Sequence, residues 1–271
     1  MVYLSSFKLS DEKMGNPNIY PYNVFRGKDV EPFVFDTITV LYGNNGSGKS
    51  TLLNIIANAL CLQGMEMVTA NTFGRMNYCE KYKHECRWCY GDDEDGYEIR
   101  ELPKDSRYIK SEDILYEIKK VQQKQVLADG MEYDYVQRGM SLQEAKGFVH
   151  SEQGMKQRQY IEFAQEKYSN GETSLQYFEE YLKPEALYLL DEPEVSLSSA
   201  NQVLLAQEIN KFARFLRCQF IIATHSPFML GTLNAKIYNL DTKDYAVTRW
   251  SELENVRYFY EFFREHEREF R

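Results

Sequence analysis

Apolar positions along this chain fall into two rhythms, and the alternation between them predicts its elements. Near the start, Val2-Tyr3-Leu4 with Phe7-Leu9 predicts one strand, Phe33-Val34-Phe35 a second and Thr37–Tyr42 a third, with Asn16-Pro17-Asn18 and Pro21 marking turns. Leu52, Leu53, Ile55, Ile56 and Leu60 then recur at helical spacing. Two later runs, Ala186–Leu190 and Phe220–Ala223, are short and continuously apolar, as expected of parallel strands buried on both faces. Helices are predicted after Ile114, over Leu142–Tyr168 and through Leu175, Phe178 and Leu182. The tail from Ser251 carries Val256, Phe259, Phe262, Phe263 and Phe270 among Glu and Arg, an amphipathic helix expected to pack on its own domain. Strands alternating with helices give an α/β chain with a parallel core sheet flanked by helices.

The first glycine-rich stretch sits where the rhythm changes from strand to helix. Gly43-Asn44-Asn45-Gly46-Ser47-Gly48-Lys49-Ser50-Thr51 fills every fixed position of a phosphate-binding loop. Its glycines let successive N–H groups turn inward toward phosphate oxygens, and the helix that follows adds its positive dipole end. Lys49 is expected to reach the outer phosphates, and Ser50 to offer a hydroxyl to Mg²⁺. A plain glycine turn before a helix would not need all of these residues, so the pattern implies a bound nucleoside triphosphate.

Two strand ends supply matching chemistry. The run Ala186–Leu190 stops at Asp191-Glu192-Pro193, and two carboxylates ending a buried strand are costly unless they meet a cation. Asp191 is the candidate second metal ligand, and Glu192 the candidate base for an attacking water. The run Phe220–Ala223 stops at Thr224-His225-Ser226-Pro227, which puts His225 at the carboxyl end of a strand, where open α/β sheets place ligands. Upstream, Ser169-Asn170-Gly171-Glu172 at a helix start offers a hydroxyl and free amides to an anion, or an ordinary helix cap.

Composition narrows the rest. The chain has 271 residues, 43% of them hydrophobic, with 21 Tyr and 16 Phe, enough for one large domain over 1–271. A net charge of -9 provides no general field for nucleic acid or an anionic membrane; the basic cluster Lys104, Arg107, Lys110, Lys119, Lys120 and Lys124 serves equally as a solvated face. No apolar run approaches the ~20 residues of a membrane helix. The first residues lack the charged start and apolar core of a leader, so a cytoplasmic place is expected. Residues 61–105 change character and read as an inserted β-hairpin arm. Within it Cys79, His84, Cys86 and Cys89 raise a Zn²⁺ site, against the plainer reading of strand cysteines and a solvated histidine. Tyr20, Tyr22 or Phe25 is an aromatic able to stack on a base, or ordinary packing.

Taken in order, Gly43–Thr51, Tyr108–Ile114, Tyr168–Glu172, Leu189–Ser198 and Ile222–Pro227 resemble the motifs of ABC-type P-loop ATPases, closest to the small AAA-family ATPases grouped with SMC, RecF and OLD-type proteins. The tail Ala235–Leu240 fits the same branch. The resemblance implies an ABC-type nucleotide-binding domain with an antiparallel β edge, a helical subdomain over 114–182, and ATP with Mg²⁺ as cofactors. It implies that Asn44 to Thr51 bind the phosphates, that Ser50 and Asp191 hold the metal, and that Glu192, His225 and Lys49 are catalytic. Val195–Ser198 would be the loop crossing to a second subunit, and Ser169, Asn170, Gly171 and Glu172 would close on the nucleotide of that subunit. The partners implied are ATP and a nucleotide-dependent second copy, with a protein target unidentified and nucleic acid unsupported by charge. In the transporter signature Leu-Ser-Gly-Gly-Gln, three of the five positions are here Tyr168, Asn170 and Glu172, which argues against an ordinary transporter subunit.

Overall fold

The structure is a computed structural model, and it describes residues 1–29, 31–66, 72–73, 76–93, 95–111, 135–136, 140–149, 151, 182–195 and 197–271. The chain divides into two compact units, one of Met1–Ser111 with Glu180–Arg271 and one of Glu112–Glu179.

The continuously apolar runs form the centre of the first unit. Strands β1 (Leu4–Lys8), β2 (Phe33–Val34) and β3 (Ile38–Tyr42) lead into helix α1 (Lys49–Ala59). After the short pair β4 (Thr72–Phe73) and β5 (Met76–Asn77) come helix α2 (Tyr78–Glu85), β6 (Arg87–Tyr90) and β7 (Arg107–Lys110). Helix α3 (Leu142–Val149) belongs to the second unit. The chain then returns through β8 (Leu187–Asp191), α4 (Ser199–Phe215), β9 (Gln219–Ala223), α5 (Pro227–Thr232), β10 (Lys236–Asn239) and α6 (Glu254–Glu265).

Five strands form a parallel sheet in the order β10-β3-β9-β8-β7. Every residue of β3, β8 and β9 is buried, which is why their sequences are unbroken apolar runs rather than alternating ones. The register pairs Leu41 with Ala223 and Asp191 with Ala223, so the carboxyl ends of all three stop at one level. An antiparallel sheet of order β2-β1-β6 pairs Phe7 with both Phe33 and Trp88.

The two sheets are joined by a polar residue. Gln219 on β9 is fully buried; its Oε1 accepts from the Tyr3 and Leu4 amides at 2.8 Å each. Its Nε2 donates to Leu4 O at 2.9 Å and to Asp36 O at 3.2 Å. One side-chain amide thereby satisfies backbone groups that the sheets leave unpaired.

The segment expected as a hairpin arm is built differently. Among the described residues β4 and β5 pair as a short hairpin and Asp92 bridges Glu98 antiparallel across the acidic turn, while 78–85 is helical and β6 is an edge of the antiparallel sheet. Asn77 caps α2, accepting from Cys79 N at 3.1 Å and Glu80 N at 3.2 Å, and Lys81 pairs with Glu85 one turn on at 3.1 Å. These local bonds outweigh the strand-like composition. The C-terminal helix also departs from expectation: Leu253 and Val256 are buried beside and within α6, but Tyr258, Phe259, Tyr260, Phe262 and Phe263 are exposed. No helix among the described residues is long and apolar enough to cross a membrane.

Replacing Gln219 with Leu strands the Tyr3 and Leu4 amides in the interior. The Gln219→Leu protein is expected to lose about 3 kcal/mol of unfolding free energy, measured by denaturant titration.

Candidate functional site

The phosphate loop runs from β3 into α1 and is shaped by its neighbours. Gly48 is the N-cap of α1 with φ +95, and a Cβ there would lie 2.7 Å from Val24 Cγ1 and 3.4 Å from Phe25 Cε1. Both conformation and contact therefore demand glycine. Helix α1 has no acidic residue in its first turn and no side-chain cap, which leaves its amino end free for an outside anion. Ser47 Oγ is buried without a hydrogen bond among the described residues, while Asn44, Asn45 and Gly46 are exposed along the loop. The Lys49 amine is buried and folds back onto the loop, 2.7 Å from Gly43 O and 3.3 Å from Asn44 O. Thr51 follows in the first turn of α1.

The next contact has no local sequence signal. Asp241, just past β10, accepts the Asn44 amide at 3.0 Å from each carboxylate oxygen. Lys28 locks the backbone there, donating to Leu240 O at 2.7 Å and Thr242 O at 2.9 Å. Beside this latch lies a cavity of about 320 Å³ lined by Ser10–Met14 and by Tyr22, Phe25 and Lys28, among others. Tyr22 and Phe25 are themselves core residues: Tyr22 meets Tyr82 edge-on at 4.7 Å, and Phe25 stacks on Tyr82 at 6.2 Å.

The strand ends bring the candidate carboxylates to the loop. Asp191 closes β8, and its Oδ1 accepts the Ser50 hydroxyl at 3.0 Å, its Oδ2 the Tyr108 hydroxyl at 3.1 Å. Burial pushes the Asp191 carboxyl above the ordinary aspartate range, against the pull of the Ser50 and Tyr108 hydrogen bonds. Ser50 and Asp191 together present two hard oxygen donors, the set that suits Mg²⁺. Glu192 turns the chain with φ +48, held by its amide on Ala223 O at 2.9 Å. That turn aims Glu192 Oε1 between Lys49 Nζ at 3.9 Å and His225 Nδ1 at 3.5 Å. Lys49, Ser50, Asp191, Glu192 and His225 thus share one sheet edge.

A third carboxyl lies behind them. Glu194 is 5% exposed; it accepts the Thr224 hydroxyl in a short hydrogen bond and the His225 amide at 3.2 Å. Burial raises its carboxyl above the ordinary glutamate range, with the Thr224 bond opposing. Its only sequence sign is a third acid after Asp191-Glu192.

Ser169, Asn170, Gly171 and Glu172 lie outside the described residues, as does Ser196 of the crossing loop. Ser198 caps α4, accepting from Asn201 N at 3.3 Å. The Zn²⁺ site is not supported: among the described residues no three His, Cys, Asp or Glu side chains gather as a metal group. Cys79 and His84 are on α2, His84 exposed; Cys86 is buried with its thiol on Tyr82 O, and Cys89 is exposed on β6. The helix that replaces the expected hairpin spreads the four apart. Burial also pushes the Cys86 thiol up to about 12, away from the thiolate that zinc requires.

The raised Asp191 carboxyl has a stability consequence. A raised native pKa means that this group favours folding below the ordinary aspartate value and loses that contribution as pH rises through the native one. At pH 7 without ligand, Asp191→Asn is expected to melt at or above the wild-type temperature in scanning calorimetry. Asp191→Ala, which leaves the Ser50 and Tyr108 hydroxyls without an acceptor, should melt below it by about 1–3 kcal/mol of stability.

Residues 80–231, more than half of the chain, match the model of the family described as "AAA domain, putative AbiEii toxin, Type IV TA system". Among solved structures the chain is similar to an Smc head domain bound to the C-terminal domain of ScpA, from Pyrococcus furiosus, at 13% identity, TM-score 0.44, and coverage of 88% of this chain and 93% of that one. It is similar to the SMC head domain from Thermotoga maritima at 14% identity, TM-score 0.41, with 88% and 94% covered. A nucleotide-free ATP-binding cassette from an ABC transporter aligns at 15% identity, TM-score 0.42, with 96% of each chain covered. No curated protein matches the chain. The chain belongs to the AAA-domain family whose model it matches.

Proposed function

We propose that this chain is a Mg²⁺-dependent ATP hydrolase that acts as a switch between a free protomer and an ATP-sandwiched homodimer. The observation that carries this reading is the convergence of Lys49, Ser50, Asp191, Glu192 and His225 on one sheet edge, with Ser50 and Asp191 already 3.0 Å apart. Mg²⁺, when bound, supplies charge neutralisation for the outer phosphates and orients them. The loop amides from Asn45 to Thr51 and the amino end of α1 bind phosphate oxygens. Lys49 exchanges its two loop carbonyls for those oxygens, so its present bonds keep a buried ammonium satisfied until ligand arrives. Glu192, only partly exposed and beside His225, takes a proton from the attacking water, and the ring holds the side facing the outer phosphate. We assign the nucleotide base to the cavity between Ser10 and Lys28, because Phe25 lies beside Gly48 and Lys28 holds the backbone around Asp241, which accepts the Asn44 amide.

His225 and Glu192 are both open to solvent on one side, at 46% and 30% side-chain exposure, which fits a site completed by another chain. Ser169, Asn170, Gly171 and Glu172 of a second copy are the groups proposed to cover it. A second reading, a nucleotide-regulated interaction module, is favoured by one observation: the exposed aromatic row on α6. The resemblance of the motifs to the SMC, RecF and OLD branch raises a DNA-acting repair or phage-defence role; the net charge of -9 gives that no electrostatic support.

Purified protein is expected to release phosphate from ATP only with Mg²⁺ present. Glu192→Gln should lower that rate by about 10²–10⁴ while still binding ATP, and its mass in solution should double when ATP is added. Lys49→Ala should lose ATP binding itself. A Glu192→Gln protein turning over at the wild-type rate, or one that stays monomeric with ATP bound, contradicts the hydrolase or the dimer reading respectively. Salt-sensitive stimulation of turnover by DNA would bring the defence role forward.

A further inference from the structure

Glu194 is an acid for which the hydrolytic scheme has no use, yet it is better buried than either carboxylate that the scheme employs. It follows the turn at Glu192, where Val195 N donates to Glu192 O at 3.1 Å and Leu197 N to Glu194 O at 3.0 Å. That turn sends the side chain under the exit of β9. There the Thr224 hydroxyl and the His225 amide donate to Glu194 Oε1, and His225 Nδ1 faces the same oxygen at 3.8 Å. Among the described residues no Lys or Arg forms an ion pair with Glu194; Oε2 is buried without a hydrogen bond, and so is His225 Nδ1. An interior carboxyl without a Lys or Arg partner among the described residues is expensive to keep.

The surrounding bonds show what the expense maintains. Thr224 Oγ1 also accepts the Ser226 amide at 3.1 Å, and the Ser226 hydroxyl donates to Gln202 Oε1 at 2.6 Å. The loop carrying His225 is therefore tied on one side to the turn after β8 and on the other to α4. Glu192 Oε1 and Glu194 Oε1 bracket a single ring nitrogen, Nδ1, at 3.5 and 3.8 Å. A ring whose Nδ1 is turned to two carboxylates carries Nε2 on its opposite side.

We propose that Glu194 is a positioning residue that sets the placement of the His225 ring beside Glu192, and so governs the chemical step rather than nucleotide affinity. It acts through the Thr224 hydroxyl and the His225 amide, which both donate to its Oε1. The activity readouts rest on the hydrolase reading above; the resonance of the His225 ring does not.

Two measurements test it. In steady-state phosphate release, Glu194→Gln should lower kcat by about tenfold or more with KM for Mg·ATP changed less than about twofold. Thr224→Val should do the same and Thr224→Ser should keep the wild-type rate. In a His225→Ala background, Glu194→Gln should change kcat by less than about twofold, since the residue through which it acts is gone. In nucleotide-free protein labelled on its four histidines, Glu194→Gln should shift the His225 ring resonance and leave the other three in place. An unchanged kcat, an unmoved His225 resonance, or an equal loss in the His225→Ala background overturns the proposal. Should wild type release no phosphate, the hydrolase reading fails, and the resonance alone decides: a selective shift upholds the positioning role and an unmoved ring removes it. Because Thr224→Val reports on the same contact from the other side, a Glu194 variant that does not fold leaves the test intact.

Discussion

The parallel seating of β9 between β3 and β8 is the constraint on which the rest of this molecule depends. With Leu41 and Asp191 both in register with Ala223, three strands end together and deliver Gly43, Glu192 and Thr224 to one edge. A slip of one residue in either ladder would reverse the faces of β9 and carry His225 away from Glu192. Nothing in β3, β8 or β9 faces water, so the ladders are fixed by burial on both faces and not by a single contact. Gln219, at the opposite end of β9, adds a polar lock that ties this sheet to the N-terminal strand.

The edge was legible in the sequence because its chemistry directly follows apolar runs. Gly43–Thr51, Asp191-Glu192 and His225 each stand at the end of a strand that hydrophobicity alone predicts. The supporting contacts were not legible, since they join residues far apart in the chain. Asp241 meets Asn44 across 197 positions, Tyr108 meets Asp191 across 83, and Gln219 meets Tyr3 across 216. Glu194 was hidden for another reason: its motif value depends on Thr224 being underneath it, which no local pattern announces. The stretch 78–90 misled because composition argued for strand and zinc, whereas an Asn cap and i,i+4 ion pairs decided for helix.

Two features of the site have the same physical origin. The Lys49 amine rests on the loop carbonyls, and Asp191 holds a carboxyl raised by burial between two hydroxyls. Both groups are held inside the protein, where charge is costly unless it meets a partner. The exposed aromatics of α6 lie outside this arrangement and depend on none of its residues for their packing.

The account turns on where the metal and the outer phosphate sit, and a crystal structure of the Glu192→Gln protein grown with Mg·ATP measures this directly. The account predicts Mg²⁺ on the Ser50 hydroxyl with Asp191 in its shell, the Lys49 amine moved from Gly43 O onto the phosphates, and the γ-phosphate beside His225. A nucleotide whose phosphates lie away from Lys49, or a metal held without Ser50 and Asp191, would contradict it.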